Sequence, residues 1–269
     1  MSISEDIRNL ALKGIEDFRK GSLAMIIANG LSLTATVLII VFVFPYLSVL
    51  PLGTVMRRAA PSIDLLKSLD ILGSLITVAA IMGVFGIVSL ILTVYAIYIK
   101  FIPGSNKLKK WREDFSTPST LMKIGYIGGL ILIIFGIGIM IVLAITLLPT
   151  IGGRGTFSNP MDFLRFLAPL FGGLAIILIG GLLWLVGNIG LILLFLRFHS
   201  VFNEVPLLIA AILFILLIIM GLMAALPLIG IFIAIATAIL TLTAWILSYI
   251  GLGNVIKKVQ SQTTQLVLV

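Results

Sequence analysis

The chain has 269 residues, 61% hydrophobic and 10% charged, with a mean hydropathy of +1.29. An ordinary soluble domain is about half apolar and about one-quarter charged, so the composition excludes a water-soluble globule and indicates one membrane domain. Cysteine is absent and histidine occurs once, which excludes disulfide frameworks, thiol nucleophiles, cysteine-ligated metals and a histidine-rich metal site. The formal charge of +8 lies mainly in segments that flank apolar runs, where membrane orientation and lipid head groups explain it better than nucleic acid.

Residues 1–20 carry Arg8, Lys13, Arg19 and Lys20 against Glu5, Asp6, Glu16 and Asp17. A cleaved secretory signal starts purely basic, so none is expected. Ile7, Leu10, Ala11, Ile15 and Phe18 fall on one stripe at helical spacing, and only Leu12 is out of place. The segment therefore predicts an amphipathic helix along the cytoplasmic interface, capped by Ser2 and Glu5.

Apolar runs follow at about 22–44, 71–99, 124–148, 166–196, 207–226 and 228–249. Each matches the roughly 20 residues that cross a bilayer, and none shows the alternation of a barrel strand. The predicted fold is all-α, a polytopic transmembrane bundle of six spans. Its membrane domain runs over 21–254, and a cytoplasmic tail over 255–269. The last two runs are nearly continuous, so the chain must turn near Pro227 and Gly230.

Lys and Arg fix the orientation. The side that holds both ends of the chain carries 13 of the 18, and the opposite side only Arg57, Arg58, Lys67, Arg154 and Arg165. The positive-inside rule places both termini in the cytoplasm of a multi-pass cell-membrane protein. The largest cytoplasmic segment, 100–123, interleaves Lys107, Lys109, Lys110 and Arg112 with Leu108, Trp111 and Phe115, a mixture suited to lipid head groups. Pro103, Gly104, Ser105 and Asn106 predict a turn that separates it from the second span.

Three similar breakers stand at the outward ends of the odd-numbered spans: Leu50-Pro51-Leu52-Gly53, Leu148-Pro149-Thr150-Ile151-Gly152 and Leu226-Pro227-Leu228-Ile229-Gly230. Asp64, Leu66, Lys67 and Leu69 also align with Asp162, Leu164, Arg165 and Leu167. Two explanations stay open: three parallel helical-hairpin repeats, or the ordinary punctuation of helix ends.

None of the ten acidic residues lies inside a predicted span. This argues against a proton relay, a carboxylate dyad and a carboxylate metal site. No Gly-x-Ser-x-Gly or Walker-type loop occurs, and the paired glycines at 128–129, 172–173 and 180–181 lie within apolar helices, where close packing is their ordinary role. Ala79 with Gly83 and Gly125 with Gly129 have the same small-residue spacing. Enzymatic activity and a cofactor are not expected.

The polar groups left in the spans are few. Asn29, with Ser32 and Thr36 on its face, and Asn188 sit about 12 to 14 Å from the cytoplasmic ends of their helices. Thr237, Thr241 and Ser248 share a face of the last span. These seven residues either line a polar solute pathway or form interhelical hydrogen bonds, the commoner use of such groups. His199 stands alone at a cytoplasmic boundary, where a solvated or hydrogen-bonded side chain is the ordinary reading.

Ala11-Leu12-Lys13-Gly14-Ile15, continuing through Phe18-Arg19-Lys20-Gly21-Ser22-Leu23, resembles the opening of an uncharacterised archaeal family of multi-spanning membrane proteins. The resemblance implies the membrane layout and no activity. The leading expectation is a non-enzymatic structural or accessory component of a membrane assembly, in contact with lipids and with a membrane-protein partner or further copies of itself. The alternative is a permease or channel for a neutral or apolar solute.

Overall fold

The computed structural model describes residues 3–43, 65–153, 160–223 and 230–267, and among them helix is the only regular structure. Among the described residues eight α-helices occur: α1 Ile3–Leu38, α2 Leu65–Val94, α3 Ile102–Trp111, α4 Ser116–Lys123, α5 Gly129–Gly153, α6 Pro160–Phe202, α7 Val205–Met223 and α8 Gly230–Val267. Five-residue or seven-residue π-helical turns extend α1 (Ile39–Val43), join α2 to α3 (Tyr95–Phe101) and join α4 to α5 (Ile124–Gly128). The result is six long rods, and five are long and apolar enough to cross a membrane. α7 is shorter, but its 19 residues measure about 28 Å, close to the hydrocarbon thickness.

Several rods exceed that thickness. α1 has 36 residues, α6 has 43 and α8 has 38, or about 54, 64 and 57 Å. Residues 3–20 of the expected amphipathic segment and the first span as far as Leu38 are parts of one unbroken helix, the expected cap Ser2 lies outside the described residues, and the segment expected as a tail continues α8 to Val267.

Two expected turns are corrected. Pro103, Gly104, Ser105 and Asn106 lie within α3. A proline in an α-helix loses the bond to the carbonyl four residues back and collides with it. Here the preceding turn is widened to π geometry, in which the Ile102 amide bonds Ile97 O, and this gives the ring its room without ending the rod. The chain reverses instead at Arg112, which is extended (φ −143°, ψ 137°) and whose amide bonds Leu108 O at 3.0 Å. Likewise Pro149, Thr150, Ile151 and Gly152 are helical, within the last turns of α5. The first breaker lies outside the described residues, as does the third apart from Gly230, the first residue of α8.

The helices form two compact units. The first comprises residues 1–14 and 105–198. Its centre is an antiparallel pair in which α4 and α5 run against α6 through glycines. A Cβ on Gly125 would stand 2.1 Å from the Gly187 amide nitrogen, one on Gly129 2.9 Å from Gly180 O, and one on Gly136 3.0 Å from Gly173 O. Gly190 is equally tight against Met122. One glycine of each expected doublet thus carries the packing: Gly129, Gly173 and Gly180 are buried, whereas Gly172 and Gly181 meet nothing within 4 Å. Gly83 also meets nothing within that distance, so the spacing with Ala79 makes no close helix contact there. On the opposite face of α5, Ile131, Ile134, Phe135 and Ile145 are 59–68% exposed, an apolar surface suited to lipid.

The second unit comprises residues 15–104 and 199–269. α7 and α8 pack antiparallel, with Leu207 against Gly251 at one end and the Phe214 and Trp245 rings 4.8 Å apart further along. Phe101 stacks between Phe18 (5.2 Å) and Trp245 (5.4 Å), which ties α1, the end of α2 and α8 into one aromatic core. Gly21 permits this approach, because a Cβ there would stand 2.4 Å from Phe101 Cε1.

Candidate functional site

Several charged side chains of the second unit are placed where helices meet. Asp17 on α1 and Lys100 beside α3 form an ion pair at 3.1 Å, with both side chains less than one-fifth exposed. Two residues further along α1, Arg19 Nη2 donates to Tyr249 OH at 3.1 Å, and the guanidinium lies 4.5 Å from the centre of the Tyr249 ring. These groups border the Phe18–Phe101–Trp245 stack, so the polar end of each helix docks in register with the aromatic core. Two buried polar atoms in this region, Arg19 Nε and Ser22 Oγ, have no hydrogen-bond partner.

A second cluster forms at the corner between α6 and α7. Asn203 adopts φ 53°, the left-handed conformation that asparagine tolerates at a helix end, and its amide bonds His199 O at 2.7 Å. This turn buries the Glu204 carboxylate, 7% exposed, against α8. Lys258 Nζ lies 2.6 Å from Oε1, and Asn254 Nδ2 donates to Oε2 at 3.1 Å. Lys258 also donates to Phe202 O at 2.8 Å, and His199 Nδ1 donates to Glu204 O at 3.0 Å. Both carboxylate oxygens therefore have cationic or amide partners, and the lone histidine serves the corner's backbone. Among the described residues no cluster of His, Cys, Asp or Glu could hold a metal ion.

The seven polar residues singled out in the spans fall in both units. In the second, Asn29 Nδ2 donates to Met25 O of its own helix at 2.7 Å, and Thr36 to Ser32 O at 2.9 Å. Ser32 reaches across to α2: its Oγ lies 3.0 Å from Ser89 Oγ, and both hydroxyls donate to Ala28 O. Thr237, Thr241 and Ser248 donate to Ala234 O, Thr237 O and Ala244 O, bonds within α8. In the first unit, Tyr126 OH donates to Asn188 Oδ1 at 2.8 Å, and the Tyr126 ring meets Trp184 edge-on at 5.3 Å. The structure thus brings Ser32 to Ser89 and Asn188 to Tyr126 across helices, and engages the other five with their own helices.

The basic segment is a helical corner, not an open loop. Leu108 and Phe115 are buried, Phe115 lies 5.1 Å from the Phe198 ring, and Trp111 stacks on Phe115 at 5.7 Å. Lys107, Lys109 and Lys110 ride on α3, and Arg112 Nη2 pairs with Asp114 at 2.9 Å. Asp17, Lys100, Arg19, Tyr249, Glu204, Asn254 and Lys258 were not marked by any sequence pattern. Their partners lie 50 to 230 positions apart along the chain. The one local signal was Glu204, an isolated acid directly after an asparagine between two apolar runs.

Six apolar rods, five of them long and apolar enough to cross a membrane, define a helical bundle of the membrane-protein type. More particularly, the chain belongs to the DUF973 family of proteins of unknown function, whose profile matches residues 11–269. No curated protein and no solved structure matches it.

Proposed function

We propose that this DUF973 protein is a non-enzymatic structural or accessory component of an assembly in the cell membrane, with both termini in the cytoplasm. The observation that carries this reading is the use made of its polar groups. The carboxylates of part-buried Asp17 and buried Glu204 are paired with Lys100 and Lys258, and the hydroxyls and amides at 29, 32, 36, 188, 237, 241 and 248 bond to backbone or to a neighbouring helix. The ion pairs and the Ser32–Ser89 and Tyr126–Asn188 contacts hold helices in register, and the other five groups are satisfied within their own helices, since an unsatisfied polar group in hydrocarbon costs several kcal/mol. The exposed apolar face of α5 is available to lipids, to a membrane-protein partner or to a second copy. The 13-to-5 distribution of Lys and Arg supports the orientation, and the opening segment supports an archaeal affiliation.

The reading is tested by cross-linking in native membranes followed by purification in mild detergent. A single stoichiometric membrane-protein partner, or a defined homo-oligomer, is the expected result. A monomer that cross-links to nothing in defined ratio would remove the basis for an assembly role.

A further inference from the structure

Beside the corner at Arg112, an open groove of about 550 Å³ is lined by Asn106 and Lys109 of α3, Ser119, Thr120 and Lys123 of α4, and Ile124, Ile127, Gly128 and Ile131 below them. We infer that this groove is a binding site for one anionic phospholipid, its phosphate at Lys109 and Lys123 and an acyl chain along Ile124, Ile127 and Ile131.

The chemistry is divided along the groove. Its upper end presents two ammonium groups that no acidic side chain among the described residues pairs, although Lys100, Arg112 and Lys258 each have such a partner. Ser119 Oγ lies 3.3 Å from Asn106 Oδ1 and 3.1 Å from Ser105 Oγ. With its Oδ1 so engaged, Asn106 has its amide nitrogen as a further donor. Two point charges and an amide donor suit a phosphodiester, which offers acceptor oxygens alone.

The lower end is apolar. Ile124, Ile127, Gly128 and Ile131 follow the i, i+3, i+4, i+7 pattern of one helix face, and this face continues directly from Lys123. Ile124 and Ile131 are 55% and 60% exposed, and Gly128 leaves the floor of the groove without a side chain. From Ile124 to Ile131 the face is about 10 Å long. A head group at a Lys-rich helix end above an apolar furrow is the geometry of a lipid that stands beside a span. A soluble anion would use only the upper half. The site needs only that the chain spans a membrane, and holds whether or not it has a partner subunit.

The test is titration of the purified full chain with dioleoyl phosphatidylglycerol in neutral detergent, with bound lipid counted by native mass spectrometry. Dioleoyl phosphatidylcholine and glycerol 3-phosphate form the parallel arms. Lys109→Gln with Lys123→Gln is expected to weaken phosphatidylglycerol about thirtyfold, from the typical contribution of two lysines near a charged head group. Lys13→Gln with Lys257→Gln removes equal charge at exposed positions that do not line the groove, and is expected to change binding by less than about twofold. Both pairs should keep the parental thermal stability, because none of the four side chains makes an ion pair among the described residues. Equal weakening by the two pairs would reduce the effect to net charge and overturn the site. So would equal affinity for phosphatidylcholine, or glycerol 3-phosphate bound as tightly as the whole lipid.

Discussion

Gly125→Val is expected to disrupt the first unit, with a loss of about 3 kcal/mol or more measured by reversible denaturant unfolding in detergent. Overpacking a core by a few methylenes costs about 1–3 kcal/mol when side chains can rearrange. Here the first added carbon would meet backbone, the Gly187 amide nitrogen at 2.1 Å and Leu183 O at 2.7 Å, and backbone cannot rotate aside. The two helices would have to separate, and the neighbouring contacts at Gly129 and Gly136 would be lost with them. Gly138→Ala on the same helix meets nothing within 4 Å, and is expected to be neutral or to stabilise by up to about 1 kcal/mol through helix propensity. Equal tolerance of both substitutions would show that α5 and α6 do not pack through these glycines.

Phe101→Ala is the counterpart in the second unit, with an expected cost of about 3–5 kcal/mol for a buried phenylalanine truncated in a close-packed site. The ring is 1% exposed and is stacked on both sides, so its loss uncouples Phe18 from Trp245. A second variant separates this cause from general fragility. Gly21→Ala should destabilise the parent, since its new methyl would press on Phe101 Cε1 at 2.4 Å, but should cost far less when Phe101 is already alanine. Additive effects in that double-mutant cycle would contradict the stacked arrangement.

The apolar runs were legible because hydropathy over 20 residues reports the solvent directly, and the described residues of each run are helical, with helix continuing well beyond the first and last of them. Close packing by glycine doublets was legible in kind, but not which member of each doublet packs, since this depends on the rotation of α5 against α6. Breakers misled where the backbone had another answer. Pro103 reads as a helix end, yet a π-helical turn immediately before it keeps the rod continuous. Ala11, Ile15 and Phe18 of the stripe expected to lie along the membrane interface are buried within the protein, while Ile7 at its start is 41% exposed.

The polar candidates divide by range. Asn29 and Thr36 bond to carbonyls four residues earlier, a use that any helical asparagine or threonine offers and that carries no tertiary information. Asn188 was recognisable as a costly amide in an apolar run, but its partner Tyr126 lies 62 positions away on the other member of the glycine pair. The ion pairs at Asp17 and Glu204 were hidden for the same reason: each acid stands in a segment that reads as interface, and only the tertiary fold brings a lysine to it.

Solute flux through liposomes tests most directly the claim that the polar side chains of the spans bond within and between helices instead of lining a path. The purified chain and its Asn188→Leu variant would be reconstituted at equal density, and the entry of glycerol and urea followed by stopped-flow light scattering. Both proteins are expected to match protein-free liposomes, while Asn188→Leu loses about 1 kcal/mol of stability with the acceptor of Tyr126. Saturable flux that depends on the protein and disappears in Asn188→Leu would contradict the account and make the chain a permease.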